Sequence, residues 1–239
     1  MTEQVTSAWD GLLRLHQQLL RRPGVEFDDA ALQPLAVLGP ADLHPHYAVL
    51  DDYRPVDLDG FTALEQAASL DELAASHLDE ALLAIIAAEG PVHGNVLAAR
   101  LLTQIEQSRS SARLRGTIQE RLTGLRASGA IVQQGDFSAL GVQLRTPPYR
   151  DWRTQTERLR RLDHVHDREL MLALLRAVDR QEGISEEEAM NAGLHRIGFI
   201  RLTASARERL RAPLDALLAA SLVESRAGAL WLGRQAFLR

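Results

Sequence analysis

The fold of this chain is decided by two runs of its sequence, LLAIIAAEGPVHGNVLAARLL at residues 82–102 and SARLRGTIQERLTGLRASGAIVQQGDF at residues 111–137. In and beside them, apolar residues recur at steps of three and four, the spacing that gives a helix one apolar face. They are Leu78, Leu82, Ile85 and Ile86 in the first helix and Leu114, Ile118, Leu122 and Leu125 in the third. Glu89-Gly90-Pro91 ends the first helix, and Gly129 suits the left-handed position after the third. The two runs therefore predict three helices followed by a short β-ribbon.

A looser copy of this pattern lies between Leu170 and Leu232. At an offset of 92 residues, Arg109, Arg115, Ile118, Leu122 and Leu125 correspond to Arg201, Arg207, Leu210, Leu214 and Leu217. Ser185 with Glu188 forms a capping box before the second helix of this copy. With a slip of one residue, Ile131-Val132 corresponds to Leu222-Val223. The repeat predicts an α+β protein, mainly helical with small β-ribbons, in which tandem winged helix-turn-helix domains follow a helical N-terminal region.

Several of these runs also carry a resemblance to a known group of proteins. They are IIAAEGPVHGNVLAARLL, the following RSSARLR, GDF at 135–137, PPYR at 147–150, and GISEEEAMNAGLHRIGF with the later ARERL. Over roughly residues 80–232 the chain resembles the uncharacterised repeat region at the C-terminal end of large bacterial superfamily I helicases. It departs from them because it carries no helicase or nuclease portion, and because Ser205 and Pro213 interrupt the Arg-rich pattern of the second copy. The resemblance implies a bacterial protein in DNA repair or DNA processing, not a particular activity.

The pattern divides the chain into four predicted segments. Residues 1–78 form an acidic, mainly helical region, 79–146 the first winged helix, 147–166 a Pro/Arg-rich linker helix and 167–239 the second winged helix. Within the first segment, Ser7–Arg22 reads as an amphipathic helix, Thr62 begins another, and Ser76 with Asp79 caps the next. In the linker, Trp152, Thr156, Leu159 and Leu162 predict the inner face of a helix that runs from Arg150 to Leu162.

Charge is distributed unevenly along the 239 residues. Residues 1–95 hold four arginines and 16 acidic residues, whereas residues 96–239 hold 23 arginines and 16 acidic residues. A basic C-terminal half is compatible with nucleic-acid binding, although the whole chain has a formal charge of −5. All basic residues are arginine, with no lysine. There is also no cysteine, which excludes disulfides, zinc sites with cysteine ligands and thiol catalysis. No apolar run reaches membrane-spanning length, and we expect a cytoplasmic protein associated with the nucleoid.

Two histidine pairs raise the question of a metal site. His44-Pro45-His46 and Asp163-His164-Val165-His166-Asp167 place histidines two residues apart beside carboxylates, which could share a metal only on an extended backbone. The structural interpretation is favoured, with Asp167 capping a helix that begins at Arg168. His93 is expected to pack or hydrogen-bond across the turn. Because no phosphate-binding glycine loop, nucleophile elbow or zinc-protease motif occurs, we expect a non-enzyme without metal or cofactor.

Two classes of function follow from tandem winged helices. In the first, the third helices enter the grooves of duplex DNA with little base discrimination. The expected contacts are Arg109, Ser110, Arg113, Arg115, Gln119, Arg150, Arg153, Arg201, Thr203, Arg207 and Arg211. In the second, the domains are protein-interaction modules, as in the accessory subunits of chromosome-condensing complexes, or parts of a transcriptional regulator. The sequence is also compatible with a protein partner bound through the acidic N-terminal region and with a homodimer, and it offers no membrane contact.

Overall fold

The computed structural model describes residues 50–66, 74–104, 112–145 and 147–237. These residues belong to one compact unit. The predicted helix Ser7–Arg22, the histidine pair His44 and His46, and the expected DNA contacts Arg109 and Ser110 lie outside the described residues.

The first copy of the repeat consists of three helices and three short strands. In chain order they are α2 (Ala75–Glu89), β2 (Val92–His93), α3 (Gly94–Gln104), α4 (Ala112–Ala127), β3 (Val132–Gln134) and β4 (Phe137–Ala139). Before it come β1 (Asp51–Asp52) and α1 (Thr62–Gln66), and after it comes α5 (Gly141–Arg145). Helix α1 starts at Thr62 and α2 ends at Glu89, as the sequence predicts.

The second copy repeats this order of elements. They are α6 (Asp167–Arg180), β6 (Ile184–Ser185), α7 (Glu186–Arg196), α8 (Ala204–Ala219), β7 (Val223–Arg226) and β8 (Ala229–Leu232), with a final 3₁₀ helix at Arg234–Phe237. Helices α7 and α8 each begin 92 residues after α3 and α4. The predicted repeat and its offset are therefore present in the structure.

Each copy closes with a three-stranded antiparallel sheet whose last strand lies in the middle. In the first copy β4 pairs with both β2 and β3, and in the second β8 pairs with both β6 and β7. The sequence predicts the two strands of each ribbon but not the third strand, because β2 and β6 are two residues long. This strand ties the turn after the first helix to the ribbon.

The residues predicted to form the helical faces are buried in two clusters. The cluster of the first copy includes Leu78, Leu82, Ile85, Ile86, Leu114, Ile118, Leu122 and Leu125. The cluster of the second copy includes Leu170, Leu174, Val178, Leu210, Leu214 and Leu217. Gly129 follows α4 with a φ of +76°, the left-handed conformation expected of it. The capping box of Ser185 and Glu188 at the start of α7 is also present.

The linker is not the continuous helix that its arginines and apolar spacing predict. It consists of β5 (Arg150–Asp151), a 3₁₀ helix at Trp152–Thr154, a turn, and a second 3₁₀ helix at Leu162–His164. Strand β5 pairs in parallel with β1. The backbone N–H of Trp152 donates to the carbonyl of Ile197, in the second copy. Because these hydrogen bonds to distant segments hold the backbone extended, the local helical pattern is overridden.

Two predicted helix starts also differ from the structure. The N-cap of α6 is His166, whose Nδ1 accepts from the backbone N–H of Arg168, so Asp167 lies in the first turn instead of capping it. The N-cap of α2 is Ala74, and its side chain makes no capping hydrogen bond, so the expected cap of Ser76 with Asp79 is not formed. Asp79 instead accepts from Arg121 of α4.

The acidic segment before α2 is not separate from the first copy at residue 78. Leu58 and Leu64 are buried in the same cluster as Leu78. Tyr53 belongs to the cluster of the second copy. Residues 50–66 therefore contribute to the cores of both copies.

Candidate nucleic-acid interface

A buried network at the end of α2 joins the first copy to the linker. The Glu89 side chain is 1% exposed and accepts from the Tyr53 hydroxyl at 2.8 Å, the Val56 N–H at 2.9 Å and the Arg100 Nε at 2.9 Å. Arg100 also donates to Gln155 of the linker at 2.6 Å. Burial is the main cause that raises the pKa of the Tyr53 hydroxyl far above its usual value. Every oxygen of this buried carboxylate thus has a donor, as a buried charge requires.

Arg150 connects both copies from the centre of this junction. Its guanidinium donates to Glu169 of α6 at 2.6 Å and to the carbonyl oxygen of Glu89 at 2.5 Å. It also lies over the ring of Tyr53, 4.4 Å from the centroid. Trp152 donates its indole N–H to Glu169 at 3.1 Å. Arg150 is 7% exposed, so it lies in the interior and not on the DNA-contacting surface that the sequence predicted for it.

The third helix of the first copy, α4, presents three of the expected contacts at the surface. Arg113, Arg115 and Gln119 are exposed, while Leu114 and Ile118 face the core. Farther along the helix, Arg121 is tied to Asp79 by two hydrogen bonds. The helix before it, α3, begins with Gly94-Asn95-Val96 and has no acidic residue in its first turn. The surface between α3 and α4 therefore receives no carboxylate from the start of α3.

Two leucines of the linker pack against different copies, and arginines lie beside them. Leu159 is buried in the cluster of the first copy, and Leu162 packs against that of the second. The backbone N–H groups of Leu159 and Arg160 both donate to the carbonyl of Thr156, which closes a tight turn. Arg158 and Arg161 are exposed on this turn. Their position is therefore fixed by the buried Leu159 and the partly buried Leu162.

These arginines, the helix α3 and Arg115 of α4 form a cleft of about 210 Å³, which we call the basic cleft. Its walls are Asn95, Ala98, Ala99, Leu102, Arg115, Arg158, Leu159, Arg161 and His164. Among the described residues, no aspartate or glutamate lines this cleft. Arg161 also approaches Asp163 at 3.9 Å, but both side chains are exposed, and such a pair contributes less than about 1 kcal/mol. Sequence reasoning did not assign Asn95 or His164 to this surface, whereas Arg158 and Arg161 belong to the linker arginines for which the sequence left open a solvated helix face or contact with phosphates.

The second copy surrounds its third helix, α8, with acidic partners. Arg207 pairs with Glu187 at 2.9 Å, and Arg211 pairs with Glu186 at 3.0 Å. Both glutamates belong to the first turn of α7. Arg209 donates to the carbonyl of Val165 at 2.8 Å and also pairs with Asp167. The arginines of α8 are thus exposed but lie beside carboxylates.

The remaining expected contacts occupy the start of α8 and the linker. Thr203 is the N-cap of α8, where its side chain accepts from the N–H of Ala206. Arg201 and Thr203 line a cleft of about 280 Å³ together with Arg161, Asp163 and Arg209. Arg153 is exposed and donates to Asp151 at 2.8 Å. Because Arg161 borders this cleft and the basic cleft, the two are contiguous.

A third cavity, of about 530 Å³, lies where the β3–β4 hairpin meets the start of α6. The rings of His93 and His166 each lie nearly perpendicular to the Phe137 ring, with centroids 5.2 and 5.0 Å away, and the His93 ring lies 4.6 Å from that of His164. Burial lowers the pKa of all three histidines, that of His166 to about 4. His93 accepts from the N–H of Asn95 through Nδ1, which confirms the expected hydrogen bond across the turn.

Within the described ranges, no three or more histidine, cysteine, aspartate or glutamate side chains are placed so that they could hold a metal ion. Nor does this part of the chain contain a helix with the length and apolarity needed to cross a membrane.

Residues 70–116 match a family described as "Protein of unknown function (DUF3320)". The matched stretch includes α2, β2, α3 and the start of α4 with Arg113 and Arg115. No curated protein and no solved structure matches the chain.

Proposed function

We propose that this chain carries two winged helices and binds duplex DNA, with little base discrimination, in DNA repair or DNA processing. The order helix, strand, helix, helix and ribbon in each copy supports this reading, because a winged helix places its third helix in the major groove and its ribbon beside the backbone. The cytoplasmic, nucleoid-associated location belongs to the same proposal.

The first copy and the linker supply the DNA contact. The observation that carries the proposal is the basic cleft, in which Arg115, Arg158 and Arg161 line one recess whose described wall residues include no carboxylate. Arg113 and Gln119 extend the surface along α4. Arginine recognises phosphate oxygens through its planar set of donors, and such contacts supply most sequence-independent affinity. Arg150 is excluded because it is buried.

Weak base discrimination follows from the residue types on this surface. Asparagine and glutamine read adenine edges, and on the exposed face of α4 only Gln119 is of this type among the described residues. Arginine side chains can also read guanine edges. The arginines of α4, however, lie beside the linker arginines, which under this proposal contact only the DNA backbone. The proposed binding is therefore governed by phosphate charge and falls steeply with salt.

A matched pair of double variants tests the assignment. Charge reversal in the first copy, Arg113→Glu with Arg115→Glu, should weaken binding to unrelated duplex sequences by the same factor, at least about tenfold at low salt. The control reverses Arg207 and Arg211 in the second copy, which already lie beside Glu187 and Glu186, and should weaken binding less. Fluorescence anisotropy with labelled duplexes measures both, and circular dichroism verifies folding.

The second candidate is a protein-interaction scaffold, in which the duplex affinity of the intact chain would be absent. The ion pairs of α8 with α7 favour this role for the second copy, because they reduce its positive charge. Under this proposal the second copy, the acidic N-terminal region or a homodimer contact would bind protein. Absence of duplex binding by the intact chain would give preference to the scaffold, whereas equal affinity of the wild type and the Arg113/Arg115 variant for every duplex would overturn the assignment of the α4 surface.

A further inference from the structure

The basic cleft differs in its charges from the cavities that surround it. The 530 Å³ cavity has Asp136, Asp163 and Asp167 in its wall, and the 280 Å³ cleft has Asp163. A further cavity of about 250 Å³ between α3, α4 and the β3–β4 hairpin has Asp136. The basic cleft has three arginines and, among the residues that the structure describes, no acidic residue in its wall. A small, strongly charged anion is favoured there over a cation or a neutral group.

The shape of the cleft restricts which anion can enter. Its inner wall is apolar, formed by Ala98, Ala99, Leu102 and Leu159, and the polar groups of Asn95 and the arginines complete the wall. A volume of about 210 Å³ accommodates a phosphate group but not a base pair. The arginines come from two segments, α4 and the linker turn, so they approach the recess from different sides.

A phosphate at a strand end fits this recess better than one inside a strand. A terminal monoester carries a charge of about −1.5 to −2 at neutral pH and presents three acceptor oxygens. An internal diester carries one negative charge, and the strand continues from it in both directions. Guanidinium groups bind phosphate in a bidentate manner, so two or three of them match the extra charge and oxygens of the monoester.

We propose that the basic cleft binds the terminal phosphate monoester of a nucleic-acid strand. This inference rests on the proposed function, in which the rest of the strand runs along α4. Arg158 and Arg161 supply the charge from the linker, and Asn95 offers an amide at the start of α3.

His164 forms part of the scaffold of the cleft. A carbonyl oxygen can only accept, so the contact of 2.8 Å between His164 Nδ1 and Leu159 O places the proton on Nδ1. Burial lowers the pKa of His164, so its ring is neutral at neutral pH. This hydrogen bond joins Leu159 to His164, so it closes the segment that carries Arg161 and holds the residue that follows Arg158. His164 thereby positions the arginines.

The test compares one duplex sequence carrying a 5′-phosphate, a 3′-phosphate or only hydroxyl ends. Fluorescence anisotropy should show at least fivefold tighter binding of one phosphorylated form than of the hydroxyl form. In the variant Arg158→Gln with Arg161→Gln this ratio should fall to about one, whatever the loss of overall affinity. The matched control is Arg160→Gln, since Arg160 is in the same turn but outside the wall of the cleft. It should keep the ratio of the wild type.

Each outcome separates the inference from the proposed function. Equal affinity of the wild type for all three duplexes overturns the terminal-phosphate site and leaves duplex binding intact. If no duplex binds, the proposed function fails. Inorganic phosphate then tests the cleft alone, by NMR of the arginine Nε–H signals. Shifts of Arg158 and Arg161 that saturate support the site, and their absence overturns it.

Discussion

The two copies of the repeat share their order of elements but not their surface charge. Where α7 starts with Glu186-Glu187-Glu188, α3 starts with Gly94-Asn95-Val96, 92 residues earlier. Glu186 and Glu187 pair with arginines of α8 in the second copy, whereas α3 and α4 border the basic cleft in the first. The apolar residues fix the fold and leave exposed positions free to differ. A binding surface in one copy therefore does not imply one in the other.

The copies also differ in how the second helix is capped. His93 accepts from the N–H of Asn95 before α3, whereas Ser185 forms a reciprocal capping box with Glu188 at α7. The glutamates of α7 thus stabilise the start of that helix and lie beside the arginines of α8. Histidine replaces serine where its ring also packs against Phe137. His93 therefore caps its helix and also packs at the junction between the copies, whereas Ser185, at the corresponding position, only caps its helix.

The largest expected effect comes from breaking the buried ion pair at the junction of the two copies. Glu169→Ala leaves Arg150 buried without its main carboxylate partner, and breaking one side of a buried ion pair costs about 3–5 kcal/mol. We expect the free energy of unfolding to fall by this amount in urea titrations followed by circular dichroism and tryptophan fluorescence. Arg153→Gln is the control, since that pair with Asp151 is more exposed and should cost less than about 1 kcal/mol. Equal losses for the two variants would mean that the junction is not a major source of stability.

The second prediction concerns pH and the contact between the β3–β4 hairpin and α6. The pKa of His166 is lowered by burial from 6.5 to about 4 in the folded chain, so between these values the unfolded chain binds more protons. Stability is therefore fully present above pH 6.5 and decreases as the pH falls toward 4. The contribution of this residue is at most about 3 kcal/mol.

The variant His166→Asn isolates this contribution. Asparagine can accept the capping hydrogen bond from Arg168 but does not titrate. The unfolding free energy of the variant should depend less on pH between 6.5 and 4 than that of the wild type, as measured by urea titrations at each pH. His93 and His164, whose pKa values are also lowered, remain and leave a residual slope. An unchanged slope would contradict the assignment to His166.

The smallest expected effect comes from exchanging surface charge between the copies. Asn95→Glu gives the first copy the acid of the second, and Glu187→Asn does the reverse, since both positions are exposed. Duplex affinity should decrease about threefold in the first variant and increase by a similar factor in the second, because exposed charge interactions contribute about 0.2–1 kcal/mol. Anisotropy titrations at low salt measure both. An effect of Glu187→Asn larger than that of Asn95→Glu would move the proposed interface to the second copy.

Much of the fold could be predicted because its signals are local. The faces of α2, α4, α6 and α8 and the turns at Glu89 and Gly129 follow from residues within a few positions of each other. The sequence signal for the linker was equally regular, yet the prediction was wrong. Hydrogen bonds to β1 and to Ile197 hold that backbone, and these partners are too far away in the chain to be read from its spacing.

The expected interface could be predicted by residue type but not by position. Arg113, Arg115, Arg150 and Arg153 look alike in the sequence, and the structure places the first two on α4, the third in the interior and the fourth beside Asp151. Arg158 and Arg161 line the basic cleft only because the linker turn places them beside Arg115. The environment of a guanidinium depends on which distant groups surround it.

The sequence by itself determined the repeat, its offset of 92 residues, the helical faces and the ribbons, since a helix needs only periodic apolar residues and suitable ends. Only the tertiary structure decided which arginines are buried, which are paired and which line a cleft. Arg150 meets the carbonyl of Glu89 across 61 residues, and Gln155 meets that of Tyr53 across 102. Such contacts arise from packing between segments that are distant in the chain, where burial makes an unpaired charge costly and so selects its partner.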